Sequence, residues 1–161
     1  QGLLDADKNG FFLRLDGWRR VRELTSSPHT SDRAFVAMSF DSNLNAAWAD
    51  GLRPALTQSG YRPIRVDFEE HNGKICDRIV AEIRESALVV ADFTLQRAGV
   101  YFEAGFALAL GLPVIWTCRE DDIGNVHFDT RQYNHVTWST PEELRKKLTA
   151  RIAATVPRIV I

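Results

Sequence analysis

The sequence holds only two cysteines and one methionine among its 161 residues. Cys76 and Cys118 lie far apart with no CxxC spacing, which excludes a disulfide framework or a zinc site built on such pairs and fits reduced thiols in a cytoplasmic protein. Long apolar runs are missing too. The longest weakly interrupted one, Ala104 to Trp116, contains Gly105, Gly111 and Pro113 and falls short of the about 18–20 residues that a membrane-spanning helix needs, so no membrane association is expected. Neither sign of charge dominates, since 20 Lys+Arg face 21 Asp+Glu. Without a basic excess the chain lacks the usual drive toward phosphate backbones, and nucleic acid is expected as a partner only through a missing N-terminal module. The four histidines, His29, His71, His127 and His135, show neither HExxH nor HxH spacing, so no metal is expected. Neither GxGxxG nor GxxxxGK[ST] occurs, and no bound cofactor is expected.

What is present, 45% hydrophobic and 25% charged residues, describes one globular domain with a small appendage. The chain begins with Gln1 and no basic-then-apolar leader, so it is expected to be a piece of a longer polypeptide. Residues 11–24 predict a short apolar strand, Asp16 as a helix cap, and a helix burying Trp18, Val21 and Leu24. The polar, proline-containing run from Thr25 to Asp32 reads as a linker. The expected organisation is therefore a remnant of an N-terminal module over 1–24, a linker over 25–32 and the main domain over 33–161.

From Arg33 onward strand and helix signals alternate. Ala34 to Met38 is a buried strand, followed by Asp41 or Ser42 as cap of a helix that runs to about Ser59 and closes at Gly60. Tyr61 to Val66 is the second strand, and Ile75, Ile79 and Ile83 mark the buried stripe of a helix from about Lys74 to Glu85. Ala87 to Ala91, Leu112 to Thr117 and His135 to Trp138 supply three more strands. Gly99 to Leu110 is a helix between the first two of these, and Pro141 opens a last helix with Leu144, Leu148, Ile152 and Val156 on one side. Short apolar strands alternating with helices predict an α/β fold, an open parallel five-stranded sheet of flavodoxin-like or Rossmann-like order 2-1-3-4-5 with helices on both faces. Ligands of such sheets bind beyond the carboxyl ends of the strands, which here are Ser39 and Phe40, Asp67, Asp92, Thr117 and Trp138.

The helix from Gly99 to Gly111 is apolar on every side except for Glu103, and so is expected to be buried. A buried carboxylate near a helix N-terminus feels burial raising its pKa and the helix dipole favouring the anion, an opposition that suits a nucleophile. A structural Glu accepting backbone or Tyr hydrogen bonds would leave the same pattern. Asp92 and Asp67 each end a strand at the ligand-facing edge, or else simply cap it. The loop from Phe68 to Lys74 reads as a ligand loop or a solvated connection. His127 and Asp129 can pair within their polar loop. Trp116-Thr-Cys-Arg-Glu120 has the wrong spacing for the Trp-Cys-x-x-Glu of TIR domains.

Ala34-Phe-Val-Ala-Met-Ser-Phe40, Gly60-Tyr61, Val66-Asp67, Val89-Val-Ala-Asp-Phe-Thr94, Val100-Tyr-Phe-Glu-Ala-Gly-Phe-Ala107 and Gly111-Leu-Pro-Val-Ile115 together resemble nucleoside 2-deoxyribosyltransferase-like proteins, a group related to TIR-like domains. The resemblance covers roughly residues 33–138. It implies that the Glu of Gly99-Val-Tyr-Phe-Glu103-Ala-Gly105 attacks the anomeric carbon of a nucleoside, nucleotide or NAD substrate, with Asp92 or Asp67 helping the base leave. Phe40 and Tyr101 would stack on the base, or Tyr101 would orient Glu103. Ser39 would lie beside the substrate. The transferases carry an Asp six residues before the nucleophile, where this chain has Arg97, and a guanidinium there favours a phosphorylated ligand. The resemblance further implies a role as an effector domain in bacterial defence, and a homo-oligomer is expected. A non-catalytic nucleotide-binding sensory or interaction module is the alternative, and residues 11–24 resemble the end of a winged helix.

Overall fold

A computed structural model describes residues 4–7, 10–17, 31–66 and 75–156. The chain separates into two compact units, the first within residues 1–29 and the second beginning at Thr30. In the first, β1 (Leu4–Asp7) and β2 (Gly10–Leu13) form an antiparallel hairpin with Leu4 opposite Leu13 and Asp7 opposite Gly10. Strand β1 was not expected, because Leu-Asp-Ala-Asp carries no β-branched or aromatic residue; Gly10, at φ 135°, opens the returning strand. The helix after it starts at Leu15, so Asp16 lies inside it rather than at its cap. Trp18, Val21 and Leu24 lie outside the described residues.

The second unit is the expected α/β layer structure. Strands β3 (Arg33–Ala37), β4 (Arg62–Ile64), β5 (Leu88–Asp92), β6 (Val114–Arg119) and β7 (Val136–Trp138) pair in parallel in the order β4-β3-β5-β6-β7. Renumbered within this sheet, that is 2-1-3-4-5. The alternation of each buried strand divides the core into two layers. Ala34, Val36, Leu88, Val90 and Ile115 face a layer closed by Leu52, Leu56, Leu144, Leu148 and Ile152, whereas Phe35, Ala37, Val89, Ala91 and Phe93 face one closed by Ile79, Ile83, Val100, Ala104 and Ala107. Helices α1 (Arg53–Gln58) and α4 (Pro141–Thr155) therefore cover one face, and α2 (Ile75–Arg84) and α3 (Ala98–Ala109) the other. Among the described residues no helix is long and apolar enough to cross a membrane.

The helical stretch before α1 is irregular for a local reason. Asp41 caps a 3₁₀ turn by accepting from the Asn43 N–H, and a π-helical segment follows over Ala47–Leu52, where the Arg53 N–H bonds the Trp48 carbonyl. Pro54, next in line, has no N–H to give, and the widened turn accommodates its ring. Gly51 in that segment lies so close to α4 that a Cβ would come within 3.0 Å of Leu144 and 3.1 Å of the Pro141 carbonyl.

Helix α3 departs from expectation. Only Val100, Ala104 and Ala107, spaced as one stripe, are buried against the sheet, while Phe102 is 60% exposed and Leu108 and Leu110 are also exposed. An all-apolar helix need not be buried all round, because a helix in the outer layer of a two-faced sheet meets the core on one side only.

Asp92, the last residue of β5, is wholly buried. Its Oδ2 accepts from Thr117 Oγ1 on β6 at 2.6 Å and from Trp138 Nε1 on β7 at 3.0 Å, and its Oδ1 accepts from the Thr94 N–H at 3.1 Å. Asp92→Asn would keep the volume but set an amide donor against one of these donors. The expected cost is about 1–3 kcal/mol of folding stability, read as a lowered urea midpoint at unchanged slope. An unshifted midpoint would show that these three bonds contribute nothing net.

Candidate functional site

The residues that follow β3 and the beginning of α3 line a cavity of about 500 Å³, within the range of small-molecule sites. Met38, Ser39, Phe40 and Asp41 form one wall, and Arg97 through Val100 with Glu103 form the other. The residues after β3 are there because a parallel strand delivers its next residues to the sheet's carboxyl edge. Glu103 is there because it stands one turn and a half into the helix that leaves β5.

Burial pushes the Glu103 carboxyl up from 4.5 to about 7. The expected opposing pull of the helix N-terminus does not win, since Glu103 lies beyond the first turn, where that field fades. Arg97 is the residue at the N-cap of α3, and no side chain caps that end. Its Nε donates to Ser39 Oγ at 3.3 Å, bridging the two walls, and Ser39 Oγ also accepts from the Asp41 N–H at 3.2 Å. Phe40 is 40% exposed, and the Arg65 guanidinium stacks over its ring at 4.8 Å. The wall thus offers a guanidinium, the N-terminal end of a helix, an accessible aromatic ring and two carboxyl groups, Glu103 and Asp41.

Of the residues singled out from sequence, Glu103, Arg97, Ser39 and Phe40 come together here. Asp92 does not. It was expected in the same cavity, but its carboxylate is buried behind the strand ends and spent on Thr117, Trp138 and the Asx-type turn to Thr94. Tyr101 also faces elsewhere, because its hydroxyl donates to Gln96 Oε1 and accepts from the His127 N–H, while its ring packs edge-on against Phe93 at 4.7 Å. Asp67 and the loop from Phe68 to Lys74 lie outside the described residues. His127 Nδ1 approaches Asp129 at 3.5 Å, yet both are exposed and neither lines the cavity. Among the described residues no group of His, Cys, Asp or Glu gathers as metal ligands would. Cys118 is free and buried, its thiol pushed up to about 12 by burial and by Asp92 and Asp122. Two contributors had not been anticipated: Asp41, read only as a helix cap, and Arg65, which no motif marks.

No family model and no curated protein matches the chain. Among solved structures, the CMP N-glycosidase BcmB of Clostridium botulinum has a similar fold, with a TM-score of 0.59 and 20% sequence identity over 74% of this chain and 98% of that one.

The raised pKa of Glu103 has a consequence for stability. The folded state favours the neutral carboxyl, so the associated stability is full below the unfolded value of 4.5 and is lost as pH rises through about 7. Glu103→Gln, which cannot ionise, should therefore gain on the wild type across that window and hold a constant lead above it, at most about 3 kcal/mol. Denaturation of both proteins between pH 5 and 8 measures the lead. A lead that does not grow with pH would place the Glu103 pKa near its ordinary value.

Proposed function

We propose that the chain cleaves or transfers at the N-glycosidic bond of a nucleoside, a nucleotide or NAD, with Glu103 as the nucleophile. The observation that carries this reading is a half-buried carboxyl group, raised in pKa, on the wall of a cavity at the ligand-binding edge of a doubly wound sheet. The likeness in fold to a CMP N-glycosidase supports it, as does the Gly-x-x-x-Glu-x-Gly pattern that ends at Gly105.

In the proposed sequence a Glu103 oxygen attacks the anomeric carbon as the bond to the base nitrogen breaks, and the base leaves with the bonding pair. The glycosyl ester that results is opened by water or by a second base, which frees Glu103. The positive charge that develops on the sugar in the transition state is stabilised by the same carboxylate. Phe40 is the ring placed to stack on the base. Asp92 has no part in this scheme. Asp41 takes up the role of hydrogen-bond acceptor for a sugar hydroxyl, a role the resemblance assigns to the position held here by Arg97. Arg97 and the uncapped start of α3 favour a phosphate on the substrate. Self-association is also part of the proposal, and the exposed apolar side of α3, with Phe102 and Leu110, is the surface it would use.

Three experiments test the reading. Incubation with CMP, cytidine and NAD should release free base, at a rate that rises with pH through about 7 as Glu103 ionises. Glu103→Gln should abolish that release and leave the fold intact; binding of nucleotide with no release by the wild type would favour the sensory module instead. Arg97→Ala should erase a preference for CMP over cytidine of about ten- to hundredfold, the value of one charge-assisted contact. An equal preference in both proteins would remove Arg97 from substrate selection.

A further inference from the structure

The loop that joins β5 to α3 holds a conformation that its residues resist. Leu95 at φ 69° and Gln96 at φ 50° are the non-glycine residues with positive φ among the described residues, and they are consecutive. Side chains at such positions are disfavoured and persist only where the surroundings impose them. Here the imposition comes from two directions. From the loop after β6, Asp122 Oδ2 accepts the Leu95 N–H at 2.5 Å and Gln96 Nε2 at 3.4 Å, while its Oδ1 accepts from Asn125 Nδ2 at 2.7 Å. From α3, the Tyr101 hydroxyl donates to Gln96 Oε1. The next residue is Arg97, which reaches back across the cavity to Ser39.

We propose that Asp122 is a positioning residue for the cavity: its carboxylate holds the left-handed Leu95–Gln96 turn, and through that turn it sets Arg97 against Ser39 and the start of α3, with Glu103, along the cavity wall. Asp122 itself does not line the cavity. It is buried, and although burial opposes its ionisation, the hydrogen bonds from Asn125, Leu95 and Gln96 and the charge of Arg119 hold its carboxyl below the ordinary range. The turn is thus gripped by an anion across neutral pH. Without that grip Leu95 and Gln96 would relax toward negative φ, and the relaxation would swing Arg97 and the first turn of α3.

The inference rests on the proposed activity for one of its two readouts only. In the full chain, the Glu103 carboxyl is titrated by carbon-13 NMR, and kcat and KM are measured for base release from CMP. In Asp122→Ala the Glu103 midpoint should fall from about 7 toward 4.5 as water reaches the loosened wall. The value of kcat should fall on the order of a hundredfold, as displacements of about 1 Å do, with a smaller change in KM. Adding Leu95→Gly and Gln96→Gly, which accept positive φ without penalty, should return both readouts toward the wild type. An unchanged Glu103 midpoint in folded Asp122→Ala overturns the proposal whatever the activity does. Absence of base release by the wild type overturns the N-glycosidic reading alone, and the titration still decides the role of Asp122. Should Asp122→Ala not fold, Asp122→Asn keeps the volume but sets an amide donor against the Leu95 N–H or Asn125 Nδ2; an unchanged midpoint there overturns the proposal equally.

Discussion

The candidate site depends on how the carboxyl end of β5 is tied to its neighbours. Asp92 accepts from Thr117 on β6 and Trp138 on β7 and turns the chain through Thr94. Thr94 Oγ1 then accepts the Arg119 N–H at 2.9 Å, and the Phe93 N–H bonds the Thr117 carbonyl at 2.8 Å. These bonds hold three strand ends in one layer and satisfy both oxygens of the buried Asp92 carboxyl group. On so rigid a base the loop to α3 has little freedom in where it begins. The strained turn, Arg97 and Glu103 are placed from that fixed point.

Much of the fold was legible in the sequence because it rests on period and punctuation. Ala34 to Met38 and Leu88 to Ala91 are short enough and apolar enough to be buried on both faces, and Gly60 and Gly111 take the positive φ that ends a helix. Helix α3 marks the limit. Its composition shows no apolar stripe, since every residue but Glu103 is compatible with the core, and only the packing shows that Val100, Ala104 and Ala107 face inward while Phe102 faces out.

The site was legible in part, and the division has a physical basis. Ser39, Phe40, Arg97 and Glu103 reach the cavity through topology alone, which places residues after β3 and at the start of α3 on the same edge. Asp92 and Tyr101 stand at equally suggestive positions in the sequence. Their side chains were claimed by partners far along the chain, Trp138 for one and the His127 N–H for the other, and no local pattern announces such pairings. Asp122 is the extreme case, an acidic residue in a polar loop whose partners, the Leu95 N–H and Gln96 Nε2, lie 27 and 26 positions away along the chain.

The electrostatics of Glu103 arise from the same arrangement. Its carboxyl is raised by burial, so the anion is poorly solvated on the cavity wall. Under the proposed mechanism that is useful, because a reacting sugar brings positive charge to the carboxylate just as the bond to the base breaks, and an interaction stronger in the transition state than in the ground state is what accelerates a reaction. A phosphate held by Arg97 would by itself push the Glu103 pKa higher still. The guanidinium would offset that charge locally and leave the developing cation on the sugar as the principal counter-charge to Glu103. An Asp at position 97 would have added a second anion beside the carboxylate. Under the proposed reading, an Arg there would supply the charge balance that a phosphorylated substrate requires.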